Sequence, residues 1–245
     1  MPAMGIIARL VSGDIMTHLT GNERAKYVQN MFTRIAKRYD LMNRLMTGGQ
    51  DVRWRKRVIE LARLNESASL LDLGTGTGDL AREALAQFPQ AKVVAADFTL
   101  EMMRVGRQTG PLNFSTADAL QLPFDDSSFD AVVSGFLMRN VIDLQTALME
   151  QHRVLKPGGR IVILDTTRPG RNILSPFIRL HMHYVIPMLG GILTGSQDAY
   201  RYLPETTEGF VTAEEMAARM SNAGFREVGY QRFMFGTIAI HWGER

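Results

Sequence analysis

The sequence predicts an α/β domain with a doubly wound, mostly parallel sheet of seven strands and helices on both faces. Short apolar runs, typical of strands buried on both faces, alternate with segments of helical periodicity. A glycine-rich turn follows the first run, where a doubly wound domain joins its first strand to a helix. The last two runs are separated by a tight turn, which predicts a hairpin and therefore one antiparallel strand near the C-terminus.

The N-terminal part, residues 1–63, is expected to form a helical lid that belongs to the same domain as residues 64–245. Apolar residues at helical spacing predict one helix over 22–46 and a second over 51–63. The glycine pair at 48–49 separates the two.

The alternation of strand and helix begins after this lid. Five parallel strands are predicted, at residues 69–73, 92–96, 113–117, 129–134 and 160–164. Three helices are predicted between these strands: one at 80–88, one that begins after a cap at Thr99, and one at 144–155. A turn is expected at 156–159.

The last third of the chain departs from this rhythm. A helical insertion is expected over 168–208, after the fifth strand. Thr212 and Glu215 have the spacing of a capping box and predict a further helix, which Gly224 ends. Two strands are then predicted, at residues 227–235 and 237–242.

Composition excludes several classes of protein. The chain is 45% hydrophobic and 22% charged, which predicts a folded core. The absence of cysteine excludes disulfides, thiolate metal sites and a cysteine nucleophile. The sequence shows no cluster of histidines and carboxylates with the spacing of metal ligands, so no metal is expected. No nucleic-acid motif accompanies the net charge of +3, so no nucleic-acid partner is expected. The basic run at 53–57 is expected to be a solvated helix face, with contact to anionic lipid headgroups as the alternative.

No membrane-spanning or secreted segment is expected. No apolar window reaches the length of about 18 residues that a transmembrane helix needs. The N-terminus also lacks the basic region of a signal peptide. We therefore expect a cytoplasmic protein. A further expectation is peripheral contact with the inner face of the membrane.

The strongest functional signal is the turn at residues 72–79, which reads DLGTGTGD. Its glycines let a ligand approach the backbone closely, but the G-x-G-x-G spacing differs from the G-x-G-x-x-G of dinucleotide sites. Asp72 and Asp79 flank the glycines and would repel a pyrophosphate, whereas they suit a cofactor that carries an ammonium and a sulfonium. These observations predict S-adenosylmethionine as the cofactor.

Acids at two further strand ends complete the predicted cofactor site. Asp97 stands nineteen residues after Gly78, at the end of the second strand, and is expected to accept both hydroxyls of the ribose. Asp118 follows the third strand and is expected to bond the adenine amino group, with a helix cap as the alternative. The predicted cofactor-binding residues are Asp72, Gly74, Gly76, Thr77, Gly78, Asp97, Asp118 and Ala119.

Two pairs of segments carry a resemblance to a known family. Residues 39–46 (YDLMNRLM) with 54–56, and residues 139–141 (RNV) with 153–160 (RVLKPGGR), resemble signatures of the ubiquinone/menaquinone C-methyltransferases. This is a family of class I S-adenosylmethionine-dependent methyltransferases, and the resemblance covers about residues 27–243. It implies methylation of a ring carbon of a polyprenylated quinol, with demethylmenaquinol as the first candidate.

The resemblance also implies the catalytic residues. Arg139 would stabilise the phenolate form of the quinol, and its alternative is a surface pair with Asp143. Tyr39 would bond the cofactor or the quinol oxygen, and its alternative is packing within the first helix. The chain departs from the family in the bulky segment at 136–138, where glycine is usual, and in Gly135 and Asp165, where Ser and Glu are usual.

The insertion suggests where the prenyl tail would bind. Residues 172–195 are rich in apolar side chains and are expected to bind the tail or contact the bilayer surface, with core packing or a homodimer contact as alternatives. His181 and His183 in this segment are candidate proton relays, with solvated side chains as the favoured interpretation. Three other functions stay open: methylation of an amine, phospholipid headgroup or phenol oxygen; a nicotinamide-dependent oxidoreductase; and a non-catalytic S-adenosylmethionine-binding scaffold.

Overall fold

A computed structural model describes residues 21–168, 206–245 and the single residue Tyr184. Its strands are β1 (Ser69–Leu73), β2 (Lys92–Asp97), β3 (Asn113–Thr116), β4 (Phe129–Gly135), β5 (Leu155–Thr166), β6 (Arg226–Phe233) and β7 (Ile238–Glu244). Its helices are α1 (Gly21–Ile35), α2 (Tyr39–Met46), α3 (Gln50–Ala62), α4 (Asp79–Gln87), α5 (Leu100–Gln108), α6 (Leu144–Val154) and α7 (Ala213–Asn222).

The strands of the described ranges form one seven-stranded sheet in the order β3-β2-β1-β4-β5-β7-β6. Strand β7 pairs antiparallel with both β5 and β6, whereas the pairs among β1 to β5 are parallel. This confirms the predicted mostly parallel sheet with one antiparallel strand near the C-terminus. The chain leaves β1 for β2 on one side and returns to β4 on the other, so the strand order reverses at β1 and opens a crevice there.

The continuous apolar run of β1 reflects burial on both faces of the sheet. Leu70 packs in one cluster with Trp54 and Val58 of α3, and Leu71 packs in the other with Leu148 of α6. Both leucines are fully buried. Truncating either to alanine is expected to cost about 2–5 kcal/mol, so β1 holds the glycine turn on a rigid support.

The predicted helix over residues 22–46 is wrong as a single element. A 3-10 turn at Ala36–Arg38 divides it into α1 and α2. Helix α1 then contacts α5, and α2 contacts α3. The sequence has no glycine or proline at the break, so these tertiary contacts decide the break and local propensity gives no sign of it.

The predicted turn at 156–159 is also wrong, because these residues lie within β5. The register of β4 against β5 shifts there, from Phe129 opposite Leu155 to Ala131 opposite Arg160, so the glycines form a bulge in the strand. The predicted capping box at Thr212 is confirmed. The link between β6 and β7 is a 3-10 turn at Met234–Gly236, longer than the predicted single glycine.

Residues 1–20 and most of the predicted insertion at 168–208 lie outside the described residues, and with them the candidate tail groove, the homodimer contact, His181 and His183. Among the described residues, no helix is long and apolar enough to cross a membrane.

Candidate active site

A cavity of about 170 Å³ lies at the carboxyl ends of β1, β2 and β4. Helices α1 and α2 contribute part of its lining. Seven of the eight predicted cofactor residues and Tyr39 line it, while Gly78 and Arg139 lie outside the lining. The cavity therefore brings together residues that the sequence places at separate strand ends.

The glycine loop between β1 and α4 adopts backbone angles that favour glycine. Gly74, Gly76 and Gly78 have φ of 67°, 59° and 97°. A Cβ atom on Gly78 would lie 2.4 Å from a methyl carbon of Leu112, so this glycine serves packing. A Cβ on Gly74 would lie 2.9 Å from Leu137, a residue of the segment that departs from the family.

Asp97 ends β2 beside the loop, and backbone amides hold its carboxylate. Its Oδ2 accepts a hydrogen bond from Gly76 N at 2.8 Å, and its Oδ1 accepts one from Thr99 N at 2.7 Å. Burial raises the pKa of Asp97, and these hydrogen bonds oppose the rise. Each carboxylate oxygen can accept a second bond, so the two oxygens suit a pair of neighbouring hydroxyls. Thr99 begins α5 without the predicted side-chain cap.

Asp72 is fully buried under the loop and lines the cavity. Its Oδ2 accepts hydrogen bonds from Thr75 Oγ1 at 2.6 Å and from Ala81 N at 3.0 Å. Its Oδ1 has no hydrogen-bond partner within the described part of the chain. Burial raises the pKa of Asp72 from 3.8 to about 7. A cation in the cavity would compensate this carboxylate.

Asp118 and Ala119 follow β3 and also line the cavity. Asp118 Oδ1 accepts a hydrogen bond from Leu120 N at 2.9 Å, and Asp118 forms an isolated bridge with Gln121. No helix begins there, so the alternative role as a helix cap is wrong for Asp118.

Arg139 is buried, with 7% of its surface exposed, and its partner is an acid of the neighbouring strand. Its Nη1 donates to Asp165 Oδ1 at 2.6 Å, and its backbone N donates to Asp165 Oδ2 at 3.2 Å. The guanidinium carbon lies 5.2 Å from the centre of the Phe136 ring. The expected alternative, a pair with Asp143, is wrong because Asp143 caps α6 by accepting bonds from Gln145 N and Thr146 N.

Tyr39 lines the cavity at the start of α2. Its ring packs edge-on against Phe32 at 5.7 Å between centroids, and its side chain bonds Asn43. Burial raises the pKa of Tyr39, and the nearby charge of Arg139 acts in the opposite direction. Packing and a polar role therefore coexist at this residue, with Arg139 close behind it.

Sequence reasoning missed the contribution of the N-terminal helices. Gln29 Nε2 of α1 donates to Phe98 O at 3.0 Å, and Arg24 Nη2 donates to Arg139 O at 3.2 Å. Helix α1 thus bonds the Phe98 side of the cavity and the segment that carries Arg139. In α2, Asp40 Oδ1 accepts a bond from Thr77 Oγ1 at 2.9 Å. Such contacts join residues far apart in sequence, and spacing gives no sign of them.

Arg55 was also missed, because it belongs to the basic run that was expected to be solvated. Its side chain is only 12% exposed and reaches Asp79 at 2.6 Å and Asp51 at 3.0 Å. The i,i+4 spacing of Asp51 and Arg55 is a signal that could have placed this residue in an ion pair. Asp79 is therefore a paired acid, unlike Asp72.

Comparisons with known proteins agree on one family. Residues 19–245 match the ubiE/COQ5 methyltransferase family. A ubiquinone/menaquinone biosynthesis C-methyltransferase of Desulfotalea psychrophila is 45% identical, over 88% of this chain and 89% of its own. A demethylmenaquinone methyltransferase of Thermus thermophilus is 45% identical, over 88% of this chain and all of its own.

A solved structure supports the fold. An S-adenosylmethionine-dependent methyltransferase of Thermotoga maritima superposes with a TM-score of 0.60 at 19% identity. The match covers 88% of this chain and 98% of that one. At this identity the likeness concerns architecture alone.

Proposed function

Because the chain belongs to the ubiE/COQ5 methyltransferase family, we propose that it methylates a ring carbon of a polyprenyl quinol, with demethylmenaquinol as substrate. The predicted class, an S-adenosylmethionine-dependent methyltransferase, is confirmed. One observation carries the proposal: a single cavity joins the acids at the ends of β1 and β2 to Tyr39 and to the wall formed by Phe136 and Asn140.

The cofactor is proposed to lie along the strand ends. The carboxylate of Asp97, at the end of β2, would accept the ribose hydroxyls, and Asp118 would bond the adenine amino group. The methionyl end then lies beside Asp72, whose Oδ1 has no hydrogen-bond partner among the described residues and can accept a bond from a cationic donor. This placement directs the sulfonium methyl toward the Tyr39 side of the cavity.

Methyl transfer to carbon requires an electron-rich ring. Loss of a proton from the quinol hydroxyl delocalises charge onto the ring carbon, which attacks the methyl group while the sulfur keeps the electron pair of the breaking bond. The ring carbon then releases its proton and aromaticity returns. Tyr39 is proposed to bond the quinol oxygen, and Arg139 to stabilise the negative charge from behind Phe136 and Asn140.

The Arg139–Asp165 pair gives this charge a fixed source. The buried carboxylate holds both the guanidinium and the backbone of Arg139, so the cation is positioned before the substrate binds. A preorganised charge loses no energy to reorganisation when the phenolate forms. The pair is neutral as a whole, which suits a neutral quinol in the ground state.

The prenyl tail is proposed to leave the cavity over apolar side chains at its mouth. Phe98 and Ile142 line the cavity, and 45% and 37% of their surfaces are exposed. Leu41 and Leu45 are exposed one turn apart on α2. These side chains could rest against the inner face of a membrane in which the tail is anchored.

The activity is tested with S-adenosylmethionine carrying a deuterated methyl group. Purified protein is incubated with demethylmenaquinol, a demethylated benzoquinol precursor and phosphatidylethanolamine in separate vesicle preparations. A mass increase on a ring carbon of demethylmenaquinol is expected. Label on an amine or a phenol oxygen, with none on a quinol ring, would overturn the proposal in favour of another acceptor.

A further inference from the structure

We propose that Asp40, delivered by α2, is a cofactor-positioning residue that receives the α-ammonium group of S-adenosylmethionine together with Asp72. The inference rests on the proposed placement of the cofactor. It adds a residue from the N-terminal segment to a site otherwise built from strand ends, and it gives that segment a role in choosing a cationic ligand.

The contact of Asp40 with the glycine loop is direct. Asp40 lines the cavity, and its Oδ1 accepts a hydrogen bond from Thr77 Oγ1 at 2.9 Å. Thr75, the other threonine of the loop, donates to Asp72 Oδ2 at 2.6 Å. Each threonine of the G-T-G-T-G turn thus bonds one carboxylate, and both aspartates line the same cavity.

Asp72 has a buried acceptor oxygen that a donor group of a ligand can satisfy. Asp72 is fully buried, and its Oδ1 has no partner among the described residues. A buried carboxylate oxygen without a donor costs free energy that a ligand donor can recover. An ammonium group carries three donors and a positive charge, so it can satisfy two carboxylates at once.

The burial of Asp40 is only partly compensated. Burial and, after it, the charge of Asp79 raise the pKa of Asp40, and these effects exceed the opposing ones of the Thr77 hydrogen bond and of Arg55 and Arg82. Arg55 is engaged by Asp79 and by Asp51 of its own helix. A cation bound beside Asp40 would offset the remaining cost of burying this carboxylate.

Tyr39, the residue next to Asp40, lies between the proposed cofactor and the proposed acceptor. The charge of Arg139 acts on Tyr39 from the acceptor side. An ammonium group held by Asp40 would therefore fix the start of α2 and, with it, the position of Tyr39. Cofactor binding would order the acceptor side before the quinol enters.

Three ligands separate the roles in one calorimetric experiment. S-adenosylmethionine carries both the sulfonium and the ammonium, S-adenosylhomocysteine lacks the sulfonium charge, and 5′-methylthioadenosine lacks the sulfonium charge and the whole arm that bears the ammonium and the carboxylate. The variant Asp40→Asn keeps an oxygen for Thr77 but removes the charge. We expect it to weaken the first two ligands at least fivefold and to leave 5′-methylthioadenosine within twofold. Asp40→Glu should restore most of the preference.

Control variants locate any failure. Asp97→Asn should weaken all three ligands, and Glu101→Gln, in the first turn of α5 and outside the cavity lining, should weaken none. Equal losses of all three ligands in Asp40→Asn, with a lower melting temperature, would make Asp40 a structural residue. A loss confined to S-adenosylmethionine would assign Asp40 to the sulfonium, and no loss would remove it from the site; each overturns the inference. If Asp97→Asn is also without effect, the proposed cofactor placement is at fault.

Discussion

The substitution Asp72→Asn is expected to stabilise the ligand-free protein at high pH. The folded state raises the pKa of Asp72 from 3.8 to about 7, so it retains a proton that the unfolded chain loses as pH rises between these values. Stability therefore declines over that range, and the full penalty is present above pH 7. Asparagine offers the same acceptor oxygen to Thr75 and Ala81 and never ionises.

The size of the effect follows from the pKa change. At about 1.4 kcal/mol for each pH unit, ionising Asp72 in its folded environment costs at most about 4 kcal/mol, of which about 3 kcal/mol develops between pH 5 and pH 8. Local relaxation and entering water reduce this, so an advantage of about 1–2 kcal/mol for Asp72→Asn is expected to develop. For a protein of this size that corresponds to about 2–8 °C in melting temperature.

The assay is thermal melting of ligand-free protein at pH 5 and pH 8. Asp143→Asn is the matched control, because hydrogen bonds from Thr146 lower the pKa of the exposed Asp143. Its carboxylate stays charged in both states across this range, so its melting difference from the parent should be constant. A pH-independent difference for Asp72→Asn as well would refute the assignment of Asp72 as the strained acid of the cavity.

Three other substitutions test the proposed site and its support. Asp97→Ala is expected to weaken S-adenosylmethionine binding at least tenfold, or about 1.4 kcal/mol, and an unchanged dissociation constant would remove Asp97 from the ribose site. Arg139→Ala should abolish most turnover and cost about 3–5 kcal/mol of stability, because Asp165 stays buried without its partner. Adding Asp165→Asn should recover melting temperature alone; recovery of turnover too would make the pair purely structural. Gly78→Ala should lower the melting temperature more than Gly48→Ala. Both glycines have positive φ, but only at Gly78 does a side chain crowd the new methyl group. Equal losses of melting temperature would contradict this reasoning.

The parts of the site predicted from sequence are those encoded locally. The glycine turn and Asp97 belong to strand ends, and the alternation of strand and helix fixes which strand ends meet at one edge of the sheet. The bonds of Asp97 to Gly76 and Thr99 follow from that arrangement. No knowledge of distant contacts was needed for these residues.

The partner of Arg139 required the register of the sheet. Helical spacing suggested Asp143, but Arg139 lies in the loop after β4, where no helix places residues four apart together. Strand β4 pairs with β5 up to Gly135 opposite Leu164, so the next residue of β5, Asp165, lies beside that loop. The register of β4 against β5 therefore identifies Asp165 as the partner of Arg139, whereas the spacing of residues along the chain does not.

The cavity distributes its charges unequally, and this argues for an order of binding. On the acceptor side the buried charge of Arg139 is balanced by Asp165, so a neutral quinol meets no net charge. On the cofactor side burial raises the pKa of both Asp72 and Asp40, and at Asp40 the nearby charges of Arg55 and Arg82 offset this only in part. A cationic cofactor relieves that penalty and a neutral quinol does not. The cofactor should therefore bind first, and its ammonium group should set the start of α2 against which the quinol is then positioned.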